Sequence, residues 1–113
     1  MKWYRNLYLG ENAAKTKYKI FGHIRKSMLD SDTFLITISE NENNLLDIIS
    51  ANEVLQPHFK KKYYRKRIYV VGLAKGRNEA LEVVRNIIDD VYKNTGKFDV
   101  AGYLKFGQKL KKK

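Results

Sequence analysis

A chain of 113 residues, 43% of them hydrophobic, is one domain by length and can bury roughly two-thirds of its unfolded surface, so it needs no staples. It has no cysteine, which excludes a disulfide scaffold and any Cys-ligated zinc or iron–sulfur centre. A net charge of +11 directs attention to anionic partners.

Residues 3–9, WYRNLYL, alternate enough to form an edge strand. Residues 12–29 read as an amphipathic helix. Ala14, Tyr18, Phe21, Ile24 and Met28 recur at three- and four-residue spacing and share one face. Lys15, Lys19, His23 and Lys26 lie opposite, and Asn12 is the expected N-cap. TFLITIS, residues 33–39, is rich in β-branched residues and reads as a strand.

The next segment admits two readings. Residues 45–49 could lie on a helix capped by Asn44, or they could be a strand. Ser50–Ala51–Asn52–Glu53 is a capping box that starts a helix at 51, so a hairpin of 33–39 with 45–49 and a short helix 51–56 is preferred. Pro57 ends that helix by disfavouring helical geometry in the residue before it. The apolar run 67–73 suits a central strand buried on both faces. Ala80, Leu81, Val84, Ile87, Ile88 and Val91 repeat at helical period over 78–93, and Gly96 stops the helix. A last short helix is expected over 99–106. The expected fold is α/β (α+β): a small mixed sheet of three to four strands covered by helices, in one domain over 1–108. The lysine-rich end, 109–113, is expected to be a tail.

The segments ISENENNLLDIISANEVLQ, IYVVGLAKGRNEALEVV and NTGKFDVAGYL together resemble a family of small bacterial proteins without an assigned activity. The resemblance implies one domain across most of the chain and implies no site residues.

Charge is segregated along the chain. Residues 30–58 hold six acids and no Lys or Arg, whereas 59–77 hold eight Lys/Arg and no acid. The densest run is Lys60, Lys61, Lys62, Tyr63, Tyr64, Arg65, Lys66 and Arg67. Cations neutralise phosphates and tyrosine rings stack on unpaired bases, so this pattern points to nucleic acid or another polyanion. The bland reading is a solvated connector whose charges guard the following apolar strand from aggregation. Lys75 and Arg77 would join the anion-binding set, with Lys15, Lys19 and Lys26 as an extension.

GLAKGRNEA, residues 72–80, has two glycines and two cations ahead of a helix, the ingredients of a phosphate grip. Its spacing matches neither common phosphate-loop template, and Glu79 and Glu82 would repel a phosphate, so it reads better as a tight strand-to-helix turn. The acidic stretch has no calcium-loop spacing. His23 and His58 are the only histidines, and no nucleophile-elbow, zinc-histidine or kinase pattern is present. No catalytic residue, metal ligand or cofactor is assigned.

The longest apolar run, Ile68–Ala74, is too short to cross a bilayer, and the first residues lack the apolar stretch of a signal peptide. A soluble, cytoplasmic, non-enzymatic binding protein is therefore expected. Two alternatives stay open: a homo-oligomer or adaptor pairing acidic with basic surfaces, and a phosphometabolite binder at the 72–79 turn.

Overall fold

Strand β1 (Lys2–Leu9) leads through α1 (Glu11–Lys15) and α2 (Lys17–Arg25) into a hairpin of β2 (Thr33–Ile38) and β3 (Leu46–Ser50). Helix α3 (Ala51–Val54), strand β4 (Tyr69–Lys75) and α4 (Arg77–Thr95) follow. The computed structural model describes residues 2–25, 32–39, 45–54, 68–100 and 102–104, with backbone alone at 24, 25, 53 and 54. The expected α+β class is observed as a four-stranded mixed sheet in the order β1-β4-β2-β3. The expected tail and the segment 60–67 lie outside the described residues.

β4 enters last in the chain yet sits in the middle of the sheet. It runs parallel to β1 and antiparallel to β2, and β2 pairs antiparallel with β3. Both faces are covered. On one, Ala80, Val83, Ile87 and Val91 of α4 pack with Val100 and Leu104 against Tyr4, Ile36, Val71 and Ala74. On the other, Ala13 and Ile20 of α1 and α2 pack against Leu35, Val70 and Leu73. That two-sided cover is why β4 is continuously apolar.

A bulge in β4 sets the spacing of the α4 layer. Ile36 is opposite Gly72 and Thr37 is opposite Val70, so Val71 has no partner of its own in β2. Val71 belongs to the α4 face, and a Cβ on Gly72 would meet Val83 Cγ1 at 2.9 Å and the Tyr8 carbonyl at 3.0 Å. Two consecutive positions thus face α4, and the second must be glycine for the helix to approach. β1 is irregular at the same level. Five steps from Trp3 to Tyr8 oppose two steps from Val70 to Gly72.

Three expectations need correction. The helix expected over 12–29 breaks at Thr16, whose φ of −119° and ψ of 22° end α1. The Thr16 hydroxyl donates to the Asn12 carbonyl at 3.1 Å, and its N–H reaches Ala13 instead. The buried pair is Ala13 and Ile20, seven apart and on one face, while Ala14 is exposed and Tyr18 is 85% exposed. Gly10, not Asn12, is the N-cap. In α4 the buried stripe is Ala80, Val83, Ile87 and Val91, which turns Leu81 outward at 54% exposure. The central strand ends at Lys75 instead of 73, because Lys75 still pairs with Thr33 and the Gly76 N–H donates to the Asp32 carbonyl at 2.7 Å.

Other local signals correspond to what forms. Ser50 Oγ accepts the Asn52 N–H at 3.2 Å at the start of α3. Gly96 closes α4 in the left-handed region at φ 70°, its N–H bonded to the Tyr92 carbonyl at 2.7 Å, as a glycine stop does. Val100 and residues 102–104 are helical.

Candidate polyanion interface

The 72–79 turn contains an anion already. Gly76 has φ 84° and ψ 155°, a conformation essentially closed to residues with a Cβ, and it swings the chain from β4 straight into α4. One turn later the Glu79 carboxylate accepts the Lys75 N–H at 2.6 Å, the Asn12 N–H at 2.8 Å and the Ala13 N–H at 3.2 Å. The latter two are first-turn amides of α1, whose cap, Gly10, has no side chain to satisfy them. A Cβ on Gly10 would collide with Glu79 Cγ, so glycine admits the carboxylate. Burial alone would raise the Glu79 pKa. The three backbone donors outweigh it and hold the carboxyl below the usual glutamate range. The Lys75 amide of this turn and two first-turn amides of α1 are thus taken by the protein's own carboxylate.

The opposite end of the sheet is arranged differently. The Lys2 N–H donates to the Ile68 carbonyl at 2.8 Å, so β1 begins beside the point where the chain emerges from Lys60–Arg67. Helix α4, which leaves β4 at Gly76, runs back toward this end. Asp90 lies beside Tyr4 and Tyr8 of β1, and at about 1.5 Å per residue the last turn of α4 carries the chain further toward the end where β1 begins. Lys2 and Arg5 are exposed here, as are Lys93 and Lys97. Among the described residues none of these four forms an ion pair.

The candidate residues named from the sequence are therefore divided. Lys60, Lys61, Lys62, Tyr63, Tyr64, Arg65, Lys66, Arg67 and Lys26 lie outside the described residues. Lys75 is the half-buried last residue of β4 and Arg77 the exposed first residue of α4. Both are about 20 Å along the strand from Ile68, at roughly 3.3 Å per residue. Lys15 is exposed at the end of α1 and pairs loosely with Glu11 at 3.9 Å, a surface contact of little energetic weight. Lys19 is exposed on α2. Lys2, Arg5, Lys93 and Lys97 escaped sequence reasoning because none lies in a dense run. Only the parallel pairing of β1 with β4 and the return of α4 bring them to one end.

A second cluster was also invisible to pattern. Tyr4, Tyr8, Tyr69 and Tyr103 gather around Asp90 on the α4 face. The rings of Tyr4 and Tyr8 stack at 6.3 Å and 9°, although residues four apart in a regular strand stand about 13 Å apart. The irregular stretch of β1 brings them together. Burial first, then the hydrogen bond to Asp90, raises the Tyr8 pKa; burial and neighbouring Tyr103 and Asp90 raise that of Tyr4. Both phenols stay protonated at neutral pH, and Tyr8 donates its hydroxyl to Asp90. Among the described residues no group of three or more metal-ligating side chains converges, and no helix is long and apolar enough to cross a membrane.

Comparison of the chain with protein-family models, curated proteins and solved structures finds no significant match.

Proposed function

We propose that this protein is a non-enzymatic binding module that docks nucleic acid, mainly by electrostatics, through Lys60–Arg67. The observation that carries the proposal is the segregation of charge. Eight Lys/Arg without an acid occupy 59–77, and that stretch feeds into β4 beside the exposed Lys2. Tyr63 and Tyr64 add stacking surface within the run. Lys2 and Arg5 extend the footprint. Lys75 and Arg77 form a separate cationic pair at the far end of β4, where the Glu79 carboxylate adds a negative charge that disfavours a phosphate.

The test is a salt titration of binding to mixed-sequence RNA and DNA oligonucleotides. With five or six phosphates contacted, log affinity falls against log salt with a slope of about −4 to −5. Replacing the six cations of 60–67 by glutamine abolishes binding at physiological salt. Absence of binding at low ionic strength, or a slope near zero, overturns the proposal.

A second reading, self-association, rests on β3. It is one of the two outer strands of the sheet among the described residues, all five of its residues are half-buried, and Asp47 is its one charge. Such an edge suits pairing with a second copy. Light scattering that reports a monomer up to the highest soluble concentration removes this reading.

A further inference from the structure

At the end of α4 the left-handed turn at Gly96 folds Phe98 back onto Tyr92. The two rings stack with centroids 4.9 Å apart and planes inclined by 19°. A contact across a glycine stop is common in helix termination, but it ordinarily hides its side chains. Here Tyr92 remains 51% and Phe98 52% exposed. Lys93 and Lys97 lie between the two aromatics in sequence, both exposed and neither in an ion pair among the described residues.

Neighbouring acids are partly engaged elsewhere. Asp99 Oδ1 accepts the Gly102 N–H at 3.0 Å, and Asp90 faces the Tyr8 hydroxyl. Asp89, one turn before Lys93, is exposed and is the one nearby carboxylate on α4 without such a contact. Two exposed, stacked rings next to two cations form a surface complementary to a base and its phosphates, since any base has a π-face and its backbone carries the charge.

We infer that Tyr92 and Phe98 are a stacking platform for an unpaired nucleobase of a single-stranded nucleic acid, with Lys93 and Lys97 meeting its flanking phosphates. The inference rests on the nucleic-acid reading above and deepens it. It selects single strands over duplex, whose bases are already stacked on one another. It also assigns a second contact at the same end of the sheet as the entry of 60–67 into β4.

The experiment measures fluorescence anisotropy with three labelled ligands of equal length: a mixed-sequence single strand, an abasic single strand and a duplex. The full-length protein is compared with the double variants Tyr92→Ala/Phe98→Ala and Tyr92→Leu/Phe98→Leu. The second keeps apolar contact without the rings and guards against loss of the fold, which thermal melts monitor. The protein as it stands binds the base-bearing single strand about tenfold more tightly than the abasic one. Both variants lose most of that preference, Tyr63 and Tyr64 supplying the remainder, while their affinity for the abasic strand is unchanged. If the protein binds base-bearing and abasic strands equally, or the variants retain the preference, the platform is overturned and the electrostatic reading survives. If it binds no ligand even at low salt, both fall together.

Discussion

The two ends of β4 solve the same problem in opposite ways. At the Gly76 end, the backbone donors of a strand and a helix start converge, and the Glu79 carboxylate satisfies three of them from 66 and 67 residues away in the case of α1. At the Ile68 end, β1 and β4 meet beside exposed cations, and the last turn of α4 leaves two rings half in solvent. The first end is closed by an internal anion. The second presents positive charge and aromatic surface outward. The contrast separates what resembles a binding motif from what is available to bind. The glycine-rich stretch had the composition of a phosphate site but already holds a carboxylate, whereas the ordinary-looking segment 92–98 is open.

Removing the internal anion breaks the closed end most severely. Glu79→Ala leaves the Asn12, Ala13 and Lys75 amides without their acceptor and costs about 2–3 kcal/mol in urea unfolding. The same carboxylate gives a pH signature. Its folded-state pKa is depressed, so its contribution is present at neutral pH and is lost as pH falls through the folded-state value, below the usual glutamate range. Glu79→Gln keeps one acceptor oxygen and is less damaging than alanine. Its deficit relative to the parent shrinks as melts are taken from pH 7 to pH 3. A deficit that stays constant across that range would show that the charge of Glu79 is not what closes this end.

Comparing the two glycines that bound α4 sharpens the contrast. Gly76→Ala forces a Cβ into φ 84°, ψ 155° and costs about 2 kcal/mol. Gly96→Ala, in the left-handed helical region at φ 70°, costs about 1 kcal/mol. Thermal melts of the two variants rank them directly, and the reverse order would contradict the assignment of Gly76 as the tighter constraint.

The smallest effect on stability belongs to the open end. Lys93→Ala/Lys97→Ala changes unfolding free energy by less than about 0.5 kcal/mol, because both side chains are exposed and form no ion pair among the described residues. The same pair reduces the salt slope for single-strand binding by about 1.4, at roughly 0.7 per phosphate contact. A large loss of stability with no change in slope would make these lysines structural.

Much of the fold was legible because its signals are local. Helical periodicity over 78–93, the serine cap before α3, the β-branched content of β2 and the glycine stop after α4 each act within a few residues. The break at Thr16 was not legible. Eighteen residues of acceptable helical spacing conceal a hydroxyl that takes the Asn12 carbonyl, and the stripe of Ala14 and Tyr18 competed with an Ala13–Ile20 stripe that only the packing against β2 and β4 selected. At the candidate site the dense cationic run could be read directly, whereas the Tyr92–Phe98 pair could not, since Tyr92 reads as one more position on a helix surface until Gly96 reverses the chain.

By itself the sequence determined which segments become helix or strand and that positive charge outweighs negative. These properties follow from side-chain spacing and backbone preference over single turns. Tertiary structure alone decided that β4 lies between β1 and β2, that Gly72 must yield to Val83, that Glu79 caps α1, and that Lys2, Lys93 and Lys97 occupy one end. Each of those depends on donors, acceptors or excluded volume supplied by residues far away in the chain, and only the folded packing brings such groups within reach.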